Sequence, residues 1–171
     1  MVEQTMIDDV CWRMLAFDHG DAKRIQHFLK VHDYARLIAL RESVDEHTQF
    51  VIECAALVHD IGIHPAEEKY GRCDGKLQEQ EGPEPAKQLL TEAGLNADDI
   101  ARITWLVAHH HTYHPIEGID HQILIEADFL VNLYEDGVGI EAVQQAYGRI
   151  FHTEAGKALC RITFGLGLAE A

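Results

Sequence analysis

Four polar side chains sit where a helical reading of this chain expects apolar ones. In CAALVHDIG, Ile52, Ala55 and Ala56 stand at offsets that put His59 on an apolar helix face, and Asp60 follows at the helix end. A carboxylate is costly to bury there without a partner. Imidazole nitrogen and carboxylate oxygen together suit a divalent first-row ion; a solvent-exposed His-Asp pair is the plain alternative. In ILIEADFLVNLY, Ile123, Ala127, Leu130, Val131 and Tyr134 form a core stripe with Asp128 beside it, which calls for a metal or an arginine. In RIQHFLKVHDYARLIAL, His27 opens a stripe continued by Val31, Tyr34, Ala35 and Ile38. His32 is its rival, on the face of Ile25, Phe28 and Leu29; either could be a hydrogen-bonded core histidine.

The densest run of imidazoles is VAHHHTYHP, residues 107–115. Ile103, Leu106 and Val107 define a buried stripe that His110 continues. At 3.6 residues per turn, His109 and His111 point about 100° to either side, so the run cannot close on one ion. His110 is the inward candidate, and His109, His111 and His114 are assigned to the rim or to solvent. The HExxH spacing of a zinc protease is absent.

These residues need helices to position them. Hydrophobic periodicity predicts helices near 3–17, 21–42, 45–60, 78–93, 97–111, 120–135, 139–149 and 153–163, without alternating strands, so the fold class is all-α. Asp45 and Asn96 are placed to cap helices, Gly62 and Pro65 to stop the third, and Pro115 to end the fifth. Residues 61–82, IGIHPAEEKYGRCDGKLQEQEG, read as a long glycine-rich connection carrying Lys69, Arg72 and Lys76, either a surface loop or a substrate-facing one.

With 171 residues the chain is expected to form one domain over 1–171, its motif core near 21–135 and the helices of 136–171 packed on it or forming an oligomer face. The net charge of −15 disfavours nucleic acid as a partner. Four scattered cysteines, no basic-then-apolar leader and no long apolar run point to a reducing, cytoplasmic setting away from membranes.

The set His27, His59-Asp60 and Asp128, in that order and on helices, resembles the HD-domain superfamily of metal-dependent phosphohydrolases. RIQHFLKVHDYA is similar to that family's first-histidine helix, AALVHDIG to its namesake motif and LIEADFLVN to its final aspartate helix. The resemblance implies a compact helical bundle in which His27, His59, Asp60 and Asp128 gather round one divalent metal (manganese, iron, cobalt, nickel or zinc, with magnesium admissible). It prefers His27 to His32. It further implies hydrolysis of a small phosphate ester or nucleotide by a metal-activated water, with Asp60 and His110 as catalytic candidates and Lys69, Arg72 and Lys76 as phosphate clamps. His110 looks like a second-metal position in some relatives. The other such position falls near GKLQEQEG, where Gln78, Glu79 and Glu81 replace histidine, so a second metal stays open. His64 receives no role. A sensor module that binds metal or nucleotide without turnover, and a di-iron oxygenase, are the alternative readings.

Overall fold

A computed structural model describes residues 2–167, so both ends of the expected 1–171 domain lie outside the described residues. Among the described residues every regular element is an α-helix: α1 Val2–Phe17, α2 Ala22–Arg41, α3 Glu46–Val58, α4 Ile63–Tyr70, α5 Gly75–Glu81, α6 Pro83–Glu92, α7 Ala97–Val107, α8 Ile119–Glu135, α9 Ile140–Arg149 and α10 Glu154–Phe164. The centre of the bundle is α3, which packs on α1, α2, α7 and α8. All residues from Phe50 to Val58 are buried, and past Glu53 the helix is apolar around its whole circumference. α8 is buried without interruption from Asp120 to Asp128 and lies against α2 and α3. α2 is amphipathic, burying His27, Phe28, Val31, Ala35, Ile38 and Ala39 at helical spacing. No helix among the described residues is long and apolar enough to cross a membrane.

Side-chain caps set several starts. The carboxylates of Asp21, Asp45 and Asp74 accept from the backbone N–H of Arg24, Thr48 and Leu77, and Asn96 accepts from those of Asp98 and Asp99. The C-terminal helix is tied down by Glu126, buried on α8, which accepts from Gln122 Nε2, the N–H groups of His152 and Thr153, and the Thr153 hydroxyl. Phe151 is buried in the core, and Tyr147, Ile150, Leu159 and Phe164 pack against it, so these residues serve packing within the chain.

The segment 61–82 departs from the sequence reading. It folds into α4 and α5, and the helix expected over 78–93 is split at Gly82. Pro83 starts α6 at a position where a missing N–H costs nothing. Pro65 lies inside the first turn of α4 for the same reason and does not terminate α3. Gly71, at φ 69°, ends α4 in the left-handed conformation. The turns at Gly62 and Gly82 touch backbone to backbone: a Cβ on Gly62 would stand 2.5 Å from the Gln78 carbonyl, and one on Gly82 2.6 Å from Val107 Cγ1. α7 also ends early, at Val107, because the next imidazoles satisfy its last carbonyls. His109 Nδ1–H donates to Trp105 O at 2.7 Å and His110 Nδ1–H to Val107 O at 2.8 Å.

Candidate metal centre

α2, the turn after α3, and α8 bring His27, His59, Asp60 and Asp128 to one point. His27 Nε2 and His59 Nε2 are 3.3 Å apart. Asp60 Oδ2 lies 3.4 Å from the first and 3.5 Å from the second; Asp128 Oδ1 lies 3.2 and 3.5 Å from them. His59 is fully buried, with His27 and Asp128 nearly so. His110, also fully buried, sets its Nε2 3.4 Å from the other oxygen of Asp60.

The outer nitrogen of each imidazole is already committed. His27 Nδ1–H donates to Glu135 Oε2 at 2.9 Å, His59 Nδ1–H to Ala56 O at 2.8 Å, and His110 Nδ1–H to Val107 O. With the proton held at Nδ1, each neutral ring turns an Nε2 lone pair toward a carboxylate. Lone pairs facing anionic oxygens in a dry interior repel unless a cation or extra protons lie between them. Two of these buried atoms, His110 Nε2 and Asp128 Oδ1, have no hydrogen-bond partner.

A divalent ion fits this donor set. Adjacent ligands of an ion bound at about 2.1 Å stand roughly 3.0–3.4 Å apart, close to the separations seen among the four side chains. Without an ion the carboxylates draw protons onto two of the imidazoles. Burial lowers the His27 pKa, but Asp128, Asp60 and Glu135 outweigh it and raise it to about 9. Burial works the same way on His59, and Asp60 and Asp128 again win, raising its pKa. Burial pushes both aspartates up, yet the imidazoles hold both well below the usual carboxylate range.

The neighbouring residues sort by what they touch. His32 donates toward Glu53 at 3.0 Å, away from the cluster, so the two histidines of α2 separate cleanly. His109 is half-buried against Trp105, stacked at 4.1 Å, and His114 is exposed. His64 faces Asp18 at 3.4 Å and Asp21 at 3.6 Å. His111 reaches the rim of the cleft. Its Nε2–H donates to Gln78 Oε1 at 2.8 Å, and its Nδ1 accepts from the Tyr113 hydroxyl at 3.1 Å. Burial, then His110, lowers the His111 pKa to about 4, which keeps the ring neutral. Asp60, His110 and His111 bring ligand atoms within 4.8 Å of one another, but both His111 nitrogens are occupied. Glu79 is taken by the His111 N–H and the Thr112 hydroxyl, and Glu81 by Lys69 and Tyr70. These contacts engage both His111 nitrogens and one oxygen of Glu79 within the protein.

The cluster opens into a cleft of about 250 Å³ lined by Lys23, Arg24, Gln78, His111, Asn132 and Asp136 besides the central residues. The expected clamp of Lys69, Arg72 and Lys76 does not line it. Lys69 is held by Glu81 and Arg72 by Asp74, local carboxylates that keep them on the outer surface, and Lys76 is exposed. The cations at the cleft are Lys23 and Arg24, the latter gripping Asp21 and, at 2.7 Å, Glu67. Sequence reasoning missed both, although they stand four and three residues before His27 and so share its helix face. Glu135 was missed as well, and seven residues after Asp128 it lies on the same face of α8.

Comparison with known proteins agrees with this geometry. No curated protein matches the chain. Among solved structures, a predicted HD superfamily hydrolase from an uncultured Thermotogales bacterium is similar at 25 % identity and a TM-score of 0.66, over 92 % of this chain and 84 % of that one. YpgQ of Bacillus subtilis shares the fold at 16 % identity and a TM-score of 0.68, over 96 % and 89 % of the two chains. The HD domain family model matches residues 24–155, a span that holds all four clustered side chains and His110. The chain therefore belongs to the HD domain family.

Proposed function

We propose that this protein is a metal-dependent phosphohydrolase that acts on a small phosphate ester or nucleotide, with one divalent ion held by His27, His59, Asp60 and Asp128. The observation that carries the reading is the convergence of Nε2 lone pairs on two carboxylates, Asp128 buried and Asp60 half-buried at the cleft, with His110 Nε2 and Asp128 Oδ1 left without partners. A divalent ion there supplies Lewis acidity, lowering the pKa of a water toward neutrality and polarising a phosphoryl oxygen. Within the family the similar Thermotogales protein is named a predicted hydrolase, which supports the same reaction type.

The chain's own residues take the remaining work. His110 keeps its proton fixed at Nδ1 on Val107 O and turns its unpartnered Nε2 toward the second oxygen of Asp60. Lys23, exposed at the mouth, and Arg24 beside it supply positive charge for a phosphate. A cleft of about 250 Å³ suits a small molecule.

The test is to strip the protein, reload it separately with manganese, iron, cobalt, nickel, zinc or magnesium, and screen phosphate esters and nucleotides for phosphate release. His59→Ala and Asp60→Ala are each expected to lose bound metal and turnover. An Asp60→Ala protein with full metal content and full activity would overturn the proposal. Tight nucleotide binding without release would support a sensor instead, and oxygen consumption by an iron-loaded form an oxygenase.

A further inference from the structure

Of the three imidazoles that turn Nε2 inward, two anchor their outer nitrogen on backbone carbonyls of their own turn, Ala56 O and Val107 O. Those anchors come with the fold. His27 differs: its Nδ1–H donates to a side chain, Glu135 Oε2, which α8 delivers across 108 residues of sequence. The other oxygen of that carboxylate, Oε1, is held at 2.7 Å by Lys30, one turn after His27 on α2. The Lys30 ammonium is itself steadied over the Tyr134 ring at 5.4 Å. The chain of contacts therefore runs from α2 to α8 and back to α2, and fixes the plane of one ring that no backbone group holds.

We propose that Glu135, oriented by Lys30, is a positioning residue for the metal centre: it sets the His27 ring so that Nε2 faces the ion. The inference rests on the reading of His27 as a metal ligand. The reason is geometric. An unrestrained histidine on a helix turns about its side-chain bonds and exposes either nitrogen, and each wrong orientation or tautomer removes one ligand of four. A carboxylate at Nδ1 removes that freedom and makes Nε2 a better donor to a cation. Glu135 touches neither His59 nor Asp60 in any contact given by the structure, so its influence on the ion passes through His27. Losing a partner of this kind weakens metal binding by about 10- to 100-fold.

The test uses the full chain and zinc as the probe. Zinc affinity is measured by chelator competition for the wild type, Glu135→Ala, Glu135→Gln and Lys30→Met. In parallel, the hydrogen-bonded Nδ1 proton of His27 is followed by NMR in the zinc-loaded, histidine-labelled protein. Glu135→Ala is expected to bind zinc about 10- to 100-fold more weakly and to lose that downfield proton signal to exchange. Glu135→Gln keeps an acceptor carbonyl and is expected to retain the signal and recover part of the affinity, which a merely structural role for the carboxylate would not produce. Wild-type zinc affinity in Glu135→Ala, or an unchanged His27 signal in it, overturns the proposal. Should the alanine variant not fold, Glu135→Gln and Lys30→Met decide: both bind zinc more weakly than wild type if the proposal holds, and wild-type affinity in both refutes it. A wild-type protein that binds no divalent ion would instead overturn the metal reading itself.

Discussion

At the scale of single residues the site is a balance between burial and charge. Desolvation alone would neutralise His27, and the carboxylates round it reverse that, so in the metal-free protein the ring holds its proton up to about pH 9. The sign of the consequence is fixed. A histidine whose folded pKa is raised above its unfolded value of about 6.5 stabilises the fold fully below that value, and the contribution is lost as pH rises toward 9. Metal must displace the same proton. Metal affinity is therefore expected to tighten with pH, by about tenfold per pH unit for each proton displaced, and to level off above about pH 9. Calorimetry in buffers of different ionisation heat checks this, since binding should release protons at pH 7.5. Affinity independent of pH between 6.5 and 9 would show that His27 is not a ligand.

At the scale of elements the site depends on backbone contacts that carry no charge. α4 and α5 meet the bundle where the Gly62 and Gly82 turns touch, and this contact sets Gln78 against His111. A methyl group at Gly82 would enter the space of Val107 Cγ1 and press on the Gln78 carbonyl. Gly82→Ala is expected to lower unfolding free energy by about 1–3 kcal/mol, measured by urea denaturation, through overpacking of a closed contact. It should also raise the His111 pKa from about 4 toward the ordinary imidazole value, because burial, the largest cause of the depression, is reduced when the contact loosens. Gly71→Ala, with nothing near its missing side chain, would be strained only by its left-handed backbone.

At the scale of the whole molecule the cluster joins helices that are far apart in sequence. His27 on α2, the His59-Asp60 turn after α3, and Asp128 on α8 share one point, so an ion bound there acts as a cross-link of the folded state only. Ligand present at 100 times its dissociation constant contributes about 2.7 kcal/mol. For a chain of this size that is a rise in melting temperature of about 5 to 10 °C. Thermal melts with and without chelator test it, and Asp128→Ala should abolish the difference. In a chain with 29 acidic and 14 basic side chains, the two cations at the cleft, Lys23 and Arg24, are distinctive in their setting.

Much of this was legible in the chain itself. The helical fold and the inward faces of His27, His59 and Asp128 follow from the 3.6-residue period, because a polar residue on an apolar stripe must be buried wherever the helix packs. The HD motif with its flanking histidine and aspartate pointed to the family. Helix ends were less legible. α7 stops at Val107 because His109 and His110 capture its carbonyls, and α5 separates from α6 because two glycines bring backbones into contact; neither cause appears in local periodicity. The expected Lys69, Arg72 and Lys76 do not line the cleft, since sequence shows a positive cluster but not the carboxylates of Glu81 and Asp74 that hold Lys69 and Arg72 to the outer surface. Glu135 and Lys30 were invisible for a deeper reason. A carboxylate on an exposed-looking helix end is ordinary until α8 is laid against α2, and only tertiary packing places it on the back of His27. Sequence determined the kind of element and most of the buried faces, Tyr134 excepted, which lies exposed at the end of the α8 stripe; the tertiary structure decided which side chains meet, because that depends on how separate helices cross.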